Sequence, residues 1–204
     1  DYRRSLGSQE PFRLIDRNTR RLFSDLEEDT YGAQAAVSIP VKLFEQQSTF
    51  KIGALKQLKQ RDFNARIFNY QFVGPSVFEK SYTSLPKDEI FAPANINENG
   101  FVLSEFTNNT DSYDANSDLN AGFLMMDNKF GSKFRVSYGA RFEQFVQTLN
   151  AIDFSGQAIA AKQDNFDVLP SANLTYSLNA KSNIRLSGSQ TVSRPEFREL
   201  ALFN

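Results

Sequence analysis

Lys133-Phe134-Arg135-Val136-Ser137-Tyr138-Gly139-Ala140-Arg141-Phe142-Glu143 alternates without a break. Phe134, Val136, Tyr138, Ala140 and Phe142 fall on one side, and Arg135, Ser137, Gly139, Arg141 and Glu143 on the other. Successive strand side chains point to opposite faces, so this stretch is a strand with one apolar and one charged face. The pattern recurs in both directions. Gly32 to Leu43 places Ala33, Ala35, Val37, Ile39 and Val41 together, and Leu169 to Leu178 sets Pro170, Ala172, Leu174, Tyr176 and Leu178 against Ser171, Asn173, Thr175 and Ser177. Asn183 to Val192 opposes Ile184, Leu186, Gly188 and Val192 to Arg185, Ser187, Ser189 and Thr191. Leu119, Ala121, Phe123 and Met125 make a fifth set, with Leu124 and Met126 blurring its other face. Thr49 to Phe72 is strand-like but irregular near Gly53 and Arg61-Asp62. The chain is all-β.

Composition removes whole classes of function. The 204 residues carry a net charge of -1, with no long basic run, so nothing marks a nucleic-acid partner. Cysteine and histidine are both absent, which excludes disulfide frameworks, thiolate nucleophiles, Cys-based metal sites and every His-dependent mechanism. No enzyme activity is expected, and no cofactor or metal. Mean hydropathy is -0.45 and no apolar run reaches the roughly 18 residues of a membrane helix. Phenylalanine is abundant, 20 residues against no tryptophan, and is dispersed along the chain.

The connections fall into two kinds. Phe44 to Ser48, Asn128 to Ser132 and Asn179 to Ser182 are short and carry turn formers. Val73 to Asn99 and Ala151 to Asn165 are long and polar, and Pro86-Lys87-Asp88-Glu89-Ile90-Phe91 in the first fits one helical turn. Alternate short turns and long loops describe a transmembrane β-barrel, as do strands that reach the roughly nine to eleven residues a tilted crossing needs. An apolar face packed on a second sheet of a soluble sandwich gives the same alternation, so that reading stays open.

From Phe166 onward, Leu169-Pro170-Ser171, Asn183-Ile184-Arg185-Leu186-Ser187 and Arg194-Pro195-Glu196-Phe197-Arg198-Glu199-Leu200 resemble the mid-barrel of TonB-dependent outer-membrane receptors, particularly the branch common in Bacteroidetes. The hairpin Met126-Asp127-Asn128-Lys129-Phe130 with Phe134 to Glu143 is similar to one in the same family, and the likeness covers about Asp118 to Ala201. The resemblance implies an antiparallel up-and-down meander belonging to a 22-stranded barrel around a plug. Its implied location is the bacterial outer membrane, and its implied partners are membrane lipid, the protein's own plug, TonB and an imported iron chelate, cobalamin or glycan. At about 20 to 25 residues per strand and connection the chain supplies about eight strands. Residues 1–204 are therefore expected to be one partial barrel domain. Asp1-Tyr2-Arg3-Arg4-Ser5 has no initiating Met, and Leu200 to Asn204 has no polar tail; both ends read as cuts within a longer protein whose signal peptide, plug and closing strands lie outside it.

On that reading Phe78, Tyr82, Phe91 and Phe154, chosen by loop position, are the candidate ligand-stacking rings. Pro195 lacks an amide donor and fits a strand end. Arg194, Glu196, Arg198 and Glu199 around it read either as a lumen-side charge network facing the plug or as a solvated strand exit. Phe101, Phe106, Phe130, Phe142 and Phe145 read as girdle or core aromatics. Other motifs fail. Asp114-Ala115-Asn116-Ser117-Asp118 opens like a calcium loop, but Leu119 and Met125 stand where Gly and Glu are required, leaving only a looser cation loop of Asp111, Asp114 and Asp118. Ser84-Leu85-Pro86-Lys87 has the spacing of serine acyl enzymes but no partner motif, and Pro86 breaks the aligning helix. The competing class is a soluble β-sandwich that binds glycan or protein.

Overall fold

A computed structural model describes residues 2–3, 12–14, 20–43 and 46–201. Among them nine strands run in chain order: β1 (Tyr2–Arg3), β2 (Arg13–Leu14), β3 (Arg20–Leu43), β4 (Gln46–Phe72), β5 (Phe101–Glu105), β6 (Ser112–Phe130), β7 (Phe134–Ile152), β8 (Ala158–Asn179) and β9 (Ser182–Ser189). Three short α-helices accompany them: α1 (Ser76–Thr83) and α2 (Lys87–Ile90) between β4 and β5, and α3 (Phe197–Leu200) after β9. One seven-stranded sheet has the order β3-β4-β6-β7-β8-β9, with β5 paired to β4, and β1-β2 form a separate pair. This is the expected antiparallel meander of about eight strands. Residues 44–45 of the first expected turn, and residues 1, 4–5 and 202–204 of the chain ends, lie outside the described residues. The described residues within 1–26 and 63–112 form one compact unit, and those within 27–62 and 113–203 a second.

The second unit is a sheet whose polarity is inside out. On β7, Phe134, Tyr138 and Phe142 are 46%, 47% and 36% exposed, while Glu143 and Gln147 on the opposite face are buried. Directly opposed residues of an antiparallel pair share a face. Register therefore carries the exposed apolar face onto β8 through Phe134↔Tyr176, Val136↔Leu174, Tyr138↔Ala172 and Phe142↔Val168, and onto β6 through Phe130↔Phe134, Met126↔Tyr138 and Leu124↔Ala140. The Phe134 and Tyr176 rings stack at 4.6 Å. A soluble sandwich would cover these side chains with a second layer; here they remain exposed. Phe134 to Phe142, at roughly 3.4 Å per residue and a tilt of about 40°, makes a band of roughly 20 Å, close to a barrel's lipid-facing belt.

The band has an edge. Past Phe142 the same face of β7 reads Gln144, Val146, Thr148 and Asn150; past Phe166 that of β8 reads Asp164 and Lys162; past Gly122 that of β6 reads Asn120, Asp118, Asn116 and Asp114. The residues opposite each other at this edge are Asn120↔Gln144 and Gln144↔Phe166. The Gln144 amide donates to Asp164, and Lys56 Nζ sits 3.0 Å from both Asp118 and Asn120. Beyond it the inner face becomes the apolar one, with Tyr113, Ala115, Leu149 and Ala151 buried. On β6 the inner face is apolar below the edge as well (Phe123, Met125). A Cβ at Gly53 would come within 2.5 Å of the Phe123 ring, so this glycine makes room for a phenylalanine and leaves β4 unbroken where the sequence looked irregular.

The first unit holds a small aromatic core. Leu14, Ile90 and Phe101 are buried, with Tyr70, Phe72, Tyr82, Leu85 and Phe91 packed on them. α2 falls on the expected helical turn after Pro86, whose fixed φ suits a helix start. β5 pairs with β4 from Phe68↔Glu105 to Phe72↔Phe101. Arg66 forks onto Glu105 at 2.9 and 3.0 Å, and Thr107 donates to the same carboxylate.

Three expectations are corrected. The long loop Ala151 to Asn165 does not exist: Ala158 to Asn165 pair with β7 from Ile152 to Phe145, leaving only residues 153–157 as a turn. There Asp153 Oδ1 accepts from the amides of Ser155 and Gln157, and Gly156 takes a positive φ of 83°. The strict short-long rhythm therefore fails at this connection, because a polar strand outside hydrocarbon has the composition of a loop. β3 begins at Arg20, twelve residues before the expected start at Gly32, through a charged stretch, and β9 ends at Ser189, leaving Thr191 and Val192 outside it. The carboxylates of the proposed cation loop are engaged separately: Asp111 accepts from the Asn108 amide, Asp114 from Asn150, and Asp118 from Lys56.

Two outcomes follow. Leu174→Arg, inside the apolar band, is expected to cost about 2–4 kcal/mol of folding stability in lipid vesicles, and Thr148→Arg, past the edge, under about 1 kcal/mol. Denaturant unfolding of refolded protein measures both. Glu105 is held down at about 2 from 4.5, first by its hydrogen bonds from Arg66 and Thr107. Its contribution to stability is therefore complete above about 4.5 and is lost as pH falls through about 2. A carboxyl-carbon NMR titration should return that midpoint, and Arg66→Gln should move it back toward the ordinary value.

Candidate functional site

β9 stops where the chain turns across the polar face of its own sheet. The Gln190 amide still donates to Pro170 O at 3.0 Å; after it, residues 191–196 have no ladder partner, consistent with a proline that has no amide to donate. Side chains hold this segment instead. Gln147 Nε2 donates to Pro195 O at 3.3 Å. Arg194 Nη2 lies 2.6 Å from Glu143 Oε2 and 2.8 Å from Asp167 Oδ2, with its guanidinium 4.6 Å from the Phe145 ring centroid. Arg141 Nε donates to Glu143 at 2.5 Å. The side chains of Glu143 and Arg194 are only 7% and 18% exposed, so the pair has exchanged most of its water for these contacts.

A second group anchors the helix that follows. Phe197 is buried beneath Arg61, whose guanidinium lies 5.1 Å from the ring centroid. Arg61 Nε donates to Glu28 at 2.6 Å, Lys59 reaches Glu28 at 3.2 Å, and Arg61 also meets Glu196 at 3.7 Å. Two cations face two carboxylates here, as Arg141 and Arg194 face Glu143 and Asp167 in the first group. Both groups sum to zero charge, as burial requires.

The sequence-chosen residues separate. Arg194 and Glu196 belong to these groups, whereas Arg198 and Glu199 are exposed on α3. Of the four candidate rings, Tyr82 and Phe91 join the aromatic core of the first unit: Tyr82 packs on Phe72 at 5.4 Å, and Phe91 stacks on Tyr70 at 4.5 Å. Phe78 is exposed on α1, and Phe154 is exposed in the 153–157 turn of the other unit. Phe101 lies in that same core and Phe145 lies under Arg194; Phe130 and Phe142 stand on the apolar outer face. Glu28, Arg61, Glu143, Asp167 and Phe145 were not singled out as partners of Arg194 and Glu196. Alternation put Arg141 and Glu143 on the polar face, but only register brings Asp167 opposite Glu143.

Residues 77–204, more than half of the chain, match the model of the outer membrane protein beta-barrel family. No curated protein matches the sequence. Among solved structures, the chain is similar to the siderophore receptor PiuA from Acinetobacter baumannii, with 16% identity and a TM-score of 0.53 over 80% of this chain. The match covers 24% of that receptor, so the chain spans about a quarter of its length.

Removing one partner of a buried ion pair leaves the other charge uncompensated. Arg194→Leu is expected to cost about 2–4 kcal/mol, less than a fully buried pair because Arg194 keeps some water. Adding Glu143→Gln should restore part of that loss, while Glu199→Gln on exposed α3 should stay within about 0.5 kcal/mol. Denaturant unfolding of the three variants in vesicles tests this.

Proposed function

The chain belongs to the outer membrane protein beta-barrel family, and from that premise we propose that it forms part of the wall of an importer. In this reading the seven-stranded sheet is a section of a 22-stranded barrel of the branch common in Bacteroidetes. Its apolar face meets acyl chains and its charged face meets a plug. The whole protein takes up a scarce ligand (iron chelate, cobalamin or glycan) with energy delivered through TonB, and the chain itself performs no catalysis. The observation that carries the reading is the inverted polarity of the sheet, with exposed phenylalanines on one face and buried Glu143 and Gln147 on the other. A soluble sandwich has no use for that arrangement. The segment around Arg194, folded against the polar face and neutral in sum, supports it further, because a barrel wall facing a plug carries paired charges rather than a net field.

The test is uptake in cells carrying the complete gene. Deleting the gene should abolish accumulation of one scarce nutrient supplied at low concentration, and deleting TonB should abolish it equally. Undiminished uptake without TonB would overturn the energised reading in favour of a passive pore.

A further inference from the structure

The two ion groups on the polar face are neutral in sum; the short-turn end of the same face is not. Pairing sets Lys129 opposite Arg135, Arg135 opposite Thr175 and Thr175 opposite Arg185. One row therefore crosses β6, β7, β8 and β9 on the face away from Phe134 and Tyr176. The two turns at this end are neighbours, because the Ser177 amide donates to Lys133 O at 2.8 Å. Lys133 lies in one of them and Lys181 in the other. These five cations have one carboxylate among them, Asp127, which Arg135 already holds at 2.9 Å, so an excess of four positive charges remains. Lys129, Lys133, Lys181 and Arg185 are exposed and form no ion pair among the described residues. Like charges directly opposite each other across a strand pair cost stability. Lys129 facing Arg135 is thus a placement that the sheet alone does not favour and that an anion from outside it would.

We infer that this row seats an acidic segment of the protein's own plug. The inference rests on the importer reading, in which this face looks into the barrel, and adds the chemistry of what meets it there. Lipid phosphate does not fit. At the same level Phe130, Phe134, Tyr176 and Ile184 make the outer row, and the sheet itself stands between them and the cations. A small anion does not fit the spacing. From β6 to β9 there are three strand spacings, roughly 14 Å, too wide for one phosphate to bridge. Carboxylates two residues apart on an extended segment stand about 7 Å from each other, so two or three of them span the row. Short turns form the periplasmic rim of a barrel, which puts the seat at the periplasmic end of the plug.

The photoreactive residue benzoylphenylalanine, placed at Ser177 of the complete protein, tests this; Ser177 lies on the same face, two residues from Thr175 and opposite Asn183. Illumination of outer membranes followed by mass spectrometry should return a peptide of the plug with at least two more carboxylates than cations. Lys129→Glu with Arg185→Glu should lower the crosslink yield at least fivefold, whereas Lys129→Arg with Arg185→Lys should keep it. Exchanging the identified carboxylates for lysine in the charge-reversed protein should restore it. Heat-modifiable migration on gels checks that each variant folds; should the charge-reversed one fail, the composition of the crosslinked peptide decides alone. The inference is overturned by a plug peptide without excess acid, by a crosslink only to lipid, to another strand of the barrel or to a different protein, by no crosslink at all, or by an undiminished yield after charge reversal. Uptake separates it from the importer reading. TonB-dependent uptake without an acidic crosslink sinks the seat alone; an acidic plug crosslink in a protein whose deletion changes no uptake sinks the importer reading alone.

Discussion

A strand that passes from hydrocarbon into water must exchange the character of its outer face at the boundary. β7 and β8 do so within two residues, between Phe142 and Gln144 and between Phe166 and Asp164, and β6 follows at Asn120. The three sites are tied together by register, so the boundary is a line across the sheet and not a property of one strand. A slip by one residue would move Phe134, Tyr138 and Phe142 to the polar face and set Arg141 and Glu143 among acyl chains. The same register sets the inner face, because Glu143 stands opposite Asp167 only while Phe142 stands opposite Val168. Lipid exposure and the inner ion groups are consequences of one pairing.

The inner groups also explain why the chain can leave the sheet at Gln190 and still be held. Backbone that gives up ladder bonds has to find partners elsewhere. Gln147 supplies one to Pro195 O, and the guanidinium of Arg194 fixes the segment through two carboxylates and a ring. Such groups specify an arrangement more than they stabilise it, since a well-packed apolar replacement is often equally stable. Their value lies in geometry: the Arg-Pro-Glu-Phe run has one seat on the sheet, with Phe197 under Arg61.

The fold was legible because alternation is a strong signal wherever one face is greasy, as from Phe134 to Phe142. It failed where the greasy face was lost. Ala158 to Asn165 forms eight residues of paired strand, yet Ala-Ile-Ala-Ala-Lys-Gln-Asp-Asn alternates only weakly, since outside the bilayer neither face has to be strongly apolar. Arg20 to Tyr31 was missed for the same reason, being charged on an outermost strand of the sheet. Arg194 and Glu196 were visible as a cluster around a strand-ending proline. Their partners Glu143, Asp167, Glu28 and Arg61 were not, because they come from other strands and only pairing brings them near. Tyr82 and Phe91 looked like free loop aromatics; α1, α2 and β5 fold that loop over its own core, where both rings are used.

The boundary line can be located directly, because the chain has no cysteine to interfere with labelling. Single cysteines carrying a nitroxide, placed in turn along β7 from Phe134 to Ile152 in lipid vesicles, report exposure to oxygen in hydrocarbon and to a water-soluble nickel complex. The account predicts alternating oxygen accessibility at Phe134, Val136, Tyr138, Ala140 and Phe142. At Gln144 it predicts an abrupt change, with Thr148 and Asn150 reached by nickel instead. Uniform nickel accessibility on that face from one end of β7 to the other would contradict it, because the phenylalanines would then be facing water.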